Sequence, residues 1–286
     1  MNIARHTLPC DIVATVRSPD NALSAPTIIL CHGFCGIQEL LLPPFAEAFT
    51  EAGFTTITFD YRGFGASGGE RGRLVPAMQI EDILSVVHWS QSLPEVDSAR
   101  IGLWGTSFGG CHVMAAAADN SEIACVVSQL AFADGEQIVT GKMSAEEKSG
   151  FIATLNKMAD KQAATGKEMF VAITRVLNDE ESKTFFDSHK VDFPAMDIKI
   201  PFLTVRETLN YRPADAAQLV NCPTLVVVAG RDTVNPPEQA IALFNALGSP
   251  EKRLHIEDGA KHYDIYSGAH FQRTIAQQID WFQRWL

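Results

Sequence analysis

The chain has 286 residues, 46% of them hydrophobic and 20% charged, a size and balance that can bury a substantial core and that suit one α/β domain carrying an insertion. Lys and Arg number 23 against 34 Asp and Glu, and the net charge of −11 argues against a nucleic-acid or anionic-membrane partner. The six cysteines (Cys10, Cys31, Cys35, Cys111, Cys125, Cys222) lie mostly in apolar runs with no CxxC or His/Cys metal spacing, so free buried thiols in a reducing, cytoplasmic compartment are expected, with no metal and no cofactor.

Residues 1–10 contain Pro9 and charges where a secretory leader would need an unbroken apolar run, and no stretch of the chain approaches bilayer length. A β-prone run at 12–16 precedes turn residues at 18–24, and 26–31 is a continuous apolar strand of the kind buried on both faces. That strand runs straight into His32-Gly33-Phe34-Cys35-Gly36, a glycine-flanked turn at the carboxyl end of a central strand, where α/β sheets place ligands. His32 reads as a structural imidazole that pins the loop. A helix over 39–52, interrupted near its start by Pro43 and Pro44, stops at Gly53. The strand at 55–59 leads into a glycine-rich loop at 60–69. No Gly-Lys-Ser/Thr follows, so the loop is read as structural, with Asp60 and Arg62 anchoring it. A helix over 76–93 begins at Pro76 and carries Ile80, Ile83, Leu84 and Val87 on an apolar face.

The stretch Gly105-Thr106-Ser107-Phe108-Gly109 follows an apolar strand at 100–104 and precedes an Ala-rich helix at 111–118. A sharp strand-to-helix turn crowds the backbone, so the positions two before and two after its apex must be almost without side chains. The same turn aims the N-terminal amides of the helix at whatever lies above the Ser107 hydroxyl. A buried strand at 123–127 comes next. From 136 to 215 no strand is evident, but helical patterns are: Phe151, Ile152, Leu155, Met158 and Ala159, then Phe170, Ile173, Val176 and Leu177. This region is predicted to be a helical cap over the strand ends, dividing the chain into a core of 1–135 and 216–286 and an insertion of 136–215. Strand and helix logic resumes at 223–229, with Asp232 just past the strand's carboxyl end. A helix at 238–247, a strand at 253–257, a Gly-containing loop with His262 and an amphipathic helix over 268–286 complete the chain.

A serine hydroxyl needs a neighbouring base, and the base needs an orienting carboxylate. Of the eight histidines only His255, His262 and His270 follow Asp232. His255 alternates within a strand and His270 lies in the last helix, whereas His262 follows a strand and has room to bend over Ser107. Ser107, Asp232 and His262 are therefore the predicted nucleophile, acid and base.

Leu30-Cys31-His32-Gly33-Phe34, the Gly105 to Gly109 turn, Ala229-Gly230-Arg231-Asp232 and Gly259-Ala260-Lys261-His262 together resemble the α/β-hydrolase superfamily over nearly the whole chain. The fold this implies is a mostly parallel central sheet with helices on both faces. Asp60-Tyr61-Arg62-Gly63-Phe64-Gly65 and the run from Asp232 to Pro237 are similar to dienelactone-hydrolase-like and X-Pro-peptidase-like esterases. Glu39-Leu40-Leu41-Leu42-Pro43 is similar to the acyltransferases of fungal polyketide pathways. The His-Gly-Gly-Gly run of hormone-sensitive-lipase-like esterases is absent, and a serine at the turn speaks against the carboxylate nucleophile of epoxide hydrolases and haloalkane dehalogenases.

In serine hydrolases the oxyanion is held by two backbone amides, which here would belong to Phe34 and Phe108. The reading is an ester hydrolase acting through an acyl-enzyme on a small to medium, partly apolar substrate, with Phe34, Phe132, Phe170 and Phe193 as candidate substrate contacts. Activity should fall at acid pH as His262 protonates. An acyltransferase or thioesterase on a polyketide-like or carrier-bound chain, a peptidase or amidase, and a non-catalytic ligand receptor are the alternatives. The expected partners are a small-molecule ester or acyl substrate and, as a candidate assembly, a homodimer, with no nucleic acid and no membrane.

Overall fold

The computed structural model describes residues 1–20 and 23–286. An antiparallel pair, β1 (Asn2–Thr7) and β2 (Val13–Ser18), opens the chain. The apolar runs then become β3 (Ala25–Cys31), β4 (Thr55–Phe59), β5 (Val96–Thr106), β6 (Ile123–Gln129), β9 (Thr224–Ala229) and β10 (Lys252–Glu257). All eight strands join one sheet in the order β1-β2-β4-β3-β5-β6-β9-β10. β2 runs antiparallel to β4, and the neighbours from β4 to β10 are parallel. β4 and β9 are buried at every position, β9 as expected of a nearly continuous apolar run, β4 despite the threonines that alternate with Ile57 and Phe59. β1 was not anticipated: it is an edge strand, mostly exposed, whose residues carry no buried-strand pattern. Of the turn predicted at 18–24, Asn21 and Ala22 lie outside the described residues.

Helices cover both faces. One apolar layer, with Ile83, Val113 and Leu243, joins α2 (Pro76–Ser90), α3 (Phe108–Asp119) and α9 (Pro237–Ala246) to the sheet. The other, with Phe45, Phe49, Trp281 and Phe282, joins α1 (Leu42–Glu51) and α10 (Gly268–Trp285). α1 starts at Leu42 rather than at 39, because Pro43 and Pro44 fall in its first turn, where a missing N–H leaves no hydrogen bond unmade. Its Phe45 ring lies 4.6 Å from Trp104. The buried Trp104 indole N–H donates to Gln278 at 2.7 Å, and Gln278 donates to Gln129 at 2.7 Å, so α10 is tied to β5 and β6 by a satisfied polar chain within an apolar layer.

Between β6 and β9 the chain forms α4 (Gly135–Thr140), α5 (Ala145–Thr165), α6 (Glu180–His189), α7 (Thr204–Asn210) and α8 (Pro213–Ala217). α5 is bounded by a Ser144/Glu147 capping box and by Gly166 in the left-handed region. Two expectations are corrected in this segment. Strands are present: β7 (Phe170–Ala172) pairs antiparallel with β8 (Lys199–Pro201). The helix predicted from Phe170, Ile173, Val176 and Leu177 is instead β7 followed by a 3-10 turn over Ile173–Arg175. Phe170, Val171 and Ile173 are aromatic and β-branched, and two short elements in succession imitate a helical spacing. The segment meets the glycine-rich loop closely. A Cβ on Gly72 would lie 2.5 Å from the Lys199 carbonyl oxygen, and the adjoining Arg73 forks onto Glu168, whose side chain is 7% exposed, at 2.8 and 2.5 Å. The segment leaves and rejoins the core at one place, where Gly135 N–H donates to the Tyr211 carbonyl at 2.9 Å and Ala214 N–H to Ala133 at 3.1 Å.

Candidate active site

The turn between β5 and α3 places Ser107 at φ 55°, a left-handed conformation costly for a residue with a side chain and typical of functional strain. The flanking glycines are sterically required. A Cβ on Gly105 would lie 2.2 Å from the Gly109 carbonyl oxygen, and one on Gly109 would lie 2.3 Å from Cys31 O and 2.4 Å from His32 O. The loop after β3 packs on this turn so tightly that a Cβ on Gly33 would stand 3.1 Å from Ser107 Cβ. The amide of Ser107 itself donates to Gln129 O at 2.8 Å. Among the described residues the amides of Phe34 and Phe108 have no acceptor, and both residues line the cavity that Ser107 faces.

Asp232, in the loop after β9, is buried and fully engaged. Its Oδ1 accepts from the amides of Val234 and Asn235, both at 2.8 Å, and its Oδ2 meets His262 Nδ1 at 2.7 Å. The Nδ1–H therefore points at the carboxylate and leaves Nε2 as the free basic nitrogen. Burial works against a charged His262 imidazole. The Asp232 carboxylate, with Glu181 and Asp179 behind it, outweighs that effect and raises its pKa above the usual histidine value. Ser107, Asn235 and His262 line one cavity of about 680 Å³. The side-chain partner of Ser107 Oγ is Asn235 Nδ2, at 3.4 Å; the Ser107–His262 hydrogen bond is not formed in this structure. Such bonds often tighten only when substrate is bound.

The remaining candidates separate cleanly. Phe34 and Phe132 line the cavity, whose apolar wall also includes Val139, Phe151 and Phe186. Phe170 does not: it sits on β7 with 44% of its surface exposed. Phe193 is likewise outside the lining and leans on the His189 ring. His32 makes a bond of 2.8 Å from Nε2 to the Leu40 carbonyl, and burial lowers its pKa, so it stays a neutral loop anchor. Asp60 accepts from the amides of Gln38 and Ala66 at 2.7 and 2.9 Å, and Arg62 pairs with Asp82 and Glu81. His255 and His270 both turn to Glu257.

Sequence reasoning passed over several groups. His112, buried behind the turn with its ring 4.9 Å from Phe108, bonds to Tyr211 and Gln79 at 3.0 and 2.9 Å and is pushed down by burial to about 3, so it remains neutral. Asn235 touches the nucleophile candidate and bonds Leu130 O at 2.7 Å. Its place three residues after Asp232, just ahead of Pro236 and Pro237, was the available signal. Glu181, Ser182 and Tyr263 also join the site, through contacts between segments about eighty residues apart in two of three cases.

A family model for the alpha/beta hydrolase fold matches residues 26–269. An uncharacterized 31.7 kDa protein in the traX-finO intergenic region of Escherichia coli is 59% identical over 100% of both chains. The quorum-quenching protein AidA of Acinetobacter baumannii is 29% identical over 95% of this chain and 90% of its own. The polyketide transferase af380 of Aspergillus fumigatus is 25% identical over 92% and 91%. The solved structure of DcsB in complex with its substrate analogue superposes with a TM-score of 0.84 at 25% identity, covering 100% of this chain and 99% of that one.

Proposed function

The chain belongs to the alpha/beta hydrolase fold family, and from that premise we propose that it is a serine-dependent carboxylic ester hydrolase working through an acyl-enzyme. The observation that carries the reading is a single convergence. A buried imidazole held at 2.7 Å by a carboxylate lines the same cavity as a serine in a strained turn and two residues whose amides have no acceptor among the described residues.

Ser107 Oγ attacks the acyl carbonyl carbon as its proton passes to His262 Nε2. The carbonyl oxygen becomes an oxyanion held by the Phe34 and Phe108 amides. Asp232 keeps the Nδ1–H tautomer and stabilises the imidazolium. On collapse the carbon–oxygen bond to the leaving alcohol breaks, and the alcohol takes the His262 proton. Water then repeats the sequence on the acyl-enzyme, giving the free acid and the original Ser107. Residues 136–215 act as a cap whose apolar side chains, Val139, Phe151 and Phe186 among them, fix the size of the acyl group. A second reading, transfer of the acyl group to an alcohol acceptor, uses the same groups and is favoured by the likeness to a named polyketide transferase.

The test is a rate series on p-nitrophenyl esters from acetate to long acyl chains, on wild type and Ser107→Ala, with and without an alcohol acceptor, beside labelling by a fluorophosphonate. Serine-dependent hydrolysis is expected. Full turnover by Ser107→Ala would sink the scheme, and labelling without hydrolysis would favour the transferase.

A further inference from the structure

Two loops bring the acid and the base together, and one helix of the 136–215 segment touches both. Glu181, in the first turn of α6, accepts from the Thr233 hydroxyl at 3.1 Å and from the Tyr263 amide at 3.2 Å. Thr233 directly follows Asp232, and Tyr263 directly follows His262. Two further contacts seat the same helix on the same loop. The Tyr263 hydroxyl donates to Ser182 Oγ at 3.3 Å, and the Phe185 ring stacks on Tyr263 with centroids 4.2 Å apart and planes at 12°. The N-terminus of α6 is already capped, since Asp179 accepts from the Ser182 amide at 2.8 Å. The Glu181 carboxylate is thus spent across the cleft instead of on its own helix.

We infer that Glu181 is a positioning residue of this site, which holds the Asp232 and His262 loops in register from α6 and so makes the docking of that helix a condition for a competent base. The inference rests on the reading of Ser107, Asp232 and His262 given above. Its geometry has a chemical consequence. The charged groups facing His262 are Asp232 from its own side of the cleft, Glu181 from α6 and Asp179, which caps that helix, while the Tyr263 and Tyr266 hydroxyls, pushed up by burial, stay neutral. A docked α6 therefore favours the protonated imidazole that forms during acyl transfer, and an undocked one withdraws two of three carboxylates at once.

Glutamine separates placement from charge. In Glu181→Gln the amide oxygen can accept from the Tyr263 amide and the amide N–H can donate to the Thr233 hydroxyl, so both links survive without the charge. The experiment is an NMR titration of the His262 ring in wild type, Glu181→Gln and Glu181→Ala, with melting temperatures and the pH dependence of fluorophosphonate labelling at Ser107. The titration reads the coupling whether or not the protein turns over an ester. The expected result is a His262 midpoint moved to lower pH in both variants, a wild-type melting temperature in Glu181→Gln, and a labelling rate about tenfold to a hundredfold lower in Glu181→Ala. A Glu181→Gln protein that labels as slowly as Glu181→Ala, a Glu181→Ala protein that labels at the wild-type rate, or one that merely melts earlier with its midpoint unchanged, would overturn the inference. A moved midpoint with no labelling of wild-type Ser107 would instead overturn the hydrolase reading.

Discussion

Gly109→Ala concentrates the demands of the strand-to-helix turn in one methyl group. The added Cβ would lie 2.3 Å from Cys31 O and 2.4 Å from His32 O, where ordinary contact begins at 3.4 Å, so about 1 Å of clearance must be made. Neither obstacle is a flexible side-chain end; both are backbone oxygens at the end of β3. The first turn of α3 must therefore retreat from β3, and the Phe108 amide travels with it while the Phe34 amide stays with the β3 loop. Overpacking of this kind costs about 1–3 kcal/mol of stability, or several degrees of melting temperature for a chain of this size. A donor displaced by about 1 Å costs on the order of a hundredfold in rate, roughly 2.7 kcal/mol of transition-state stabilisation. Gly150→Ala is the control, because a Cβ there in α5 meets nothing within 4 Å and a helical Gly→Ala change gains roughly 0.5–1 kcal/mol. The assay is kcat/KM on p-nitrophenyl butyrate, with thermal melting of both variants. A Gly109→Ala protein with wild-type rate and melting temperature would refute the account of the turn.

Asp232→Asn would present an amide N–H or oxygen to His262 in place of a carboxylate, favouring the wrong tautomer, and kcat should fall on the order of ten-thousandfold at an intact melting temperature. With His262 held above the usual histidine value and required in its neutral form, the acid limb of kcat/KM should lie above ~6.5, the unperturbed histidine pKa; a limb at or below it would contradict the electrostatic picture. Asn235→Ala removes the donor to the buried Leu130 carbonyl and the contact to Ser107, and should cost about 1–3 kcal/mol in urea unfolding together with a loss of rate. Arg73→Ala leaves the Glu168 side chain buried with only Gln162, among the described residues, donating to it, and about 1–3 kcal/mol of destabilisation should appear with faster proteolysis near 167–170.

What could be read in the sequence were the features with a local physical signature. β3, β6 and β9 are mainly apolar runs, bounded by turn residues, and such runs have few places to go except the middle of a parallel sheet. The pairing of Asp232 with His262, and their convergence with Ser107 at one cavity, could be anticipated because each follows a strand and their chain order restricts the pairing. β1 was not readable, since an exposed edge strand buries too little to imprint a pattern. The 170–177 stretch misled because a strand and a 3-10 turn in sequence share the spacing of one helix face. That error carried over to Phe170, which is largely exposed and outside the cavity. Glu181 left no trace at all, because two acidic residues opening a helix are what the helix dipole favours anyway; its partner Thr233 is 52 residues away.

The paired bonds Gly135 to Tyr211 and Ala133 to Ala214 bear on how such a protein can change over time. They form a seam at which the chain leaves the sheet after β6 and returns to it before β9. The parts of α4 to α7 that meet neither the glycine-rich loop nor the Asp232 and His262 loops can be lengthened, trimmed or exchanged on one side of that seam while the strand registers that aim Ser107 stay fixed on the other. If the protein is the acyl hydrolase proposed above, preference for a new acyl group is then open to replacement of segments as well as to point mutation, provided the incoming segment again offers a carboxylate to Thr233 and Tyr263.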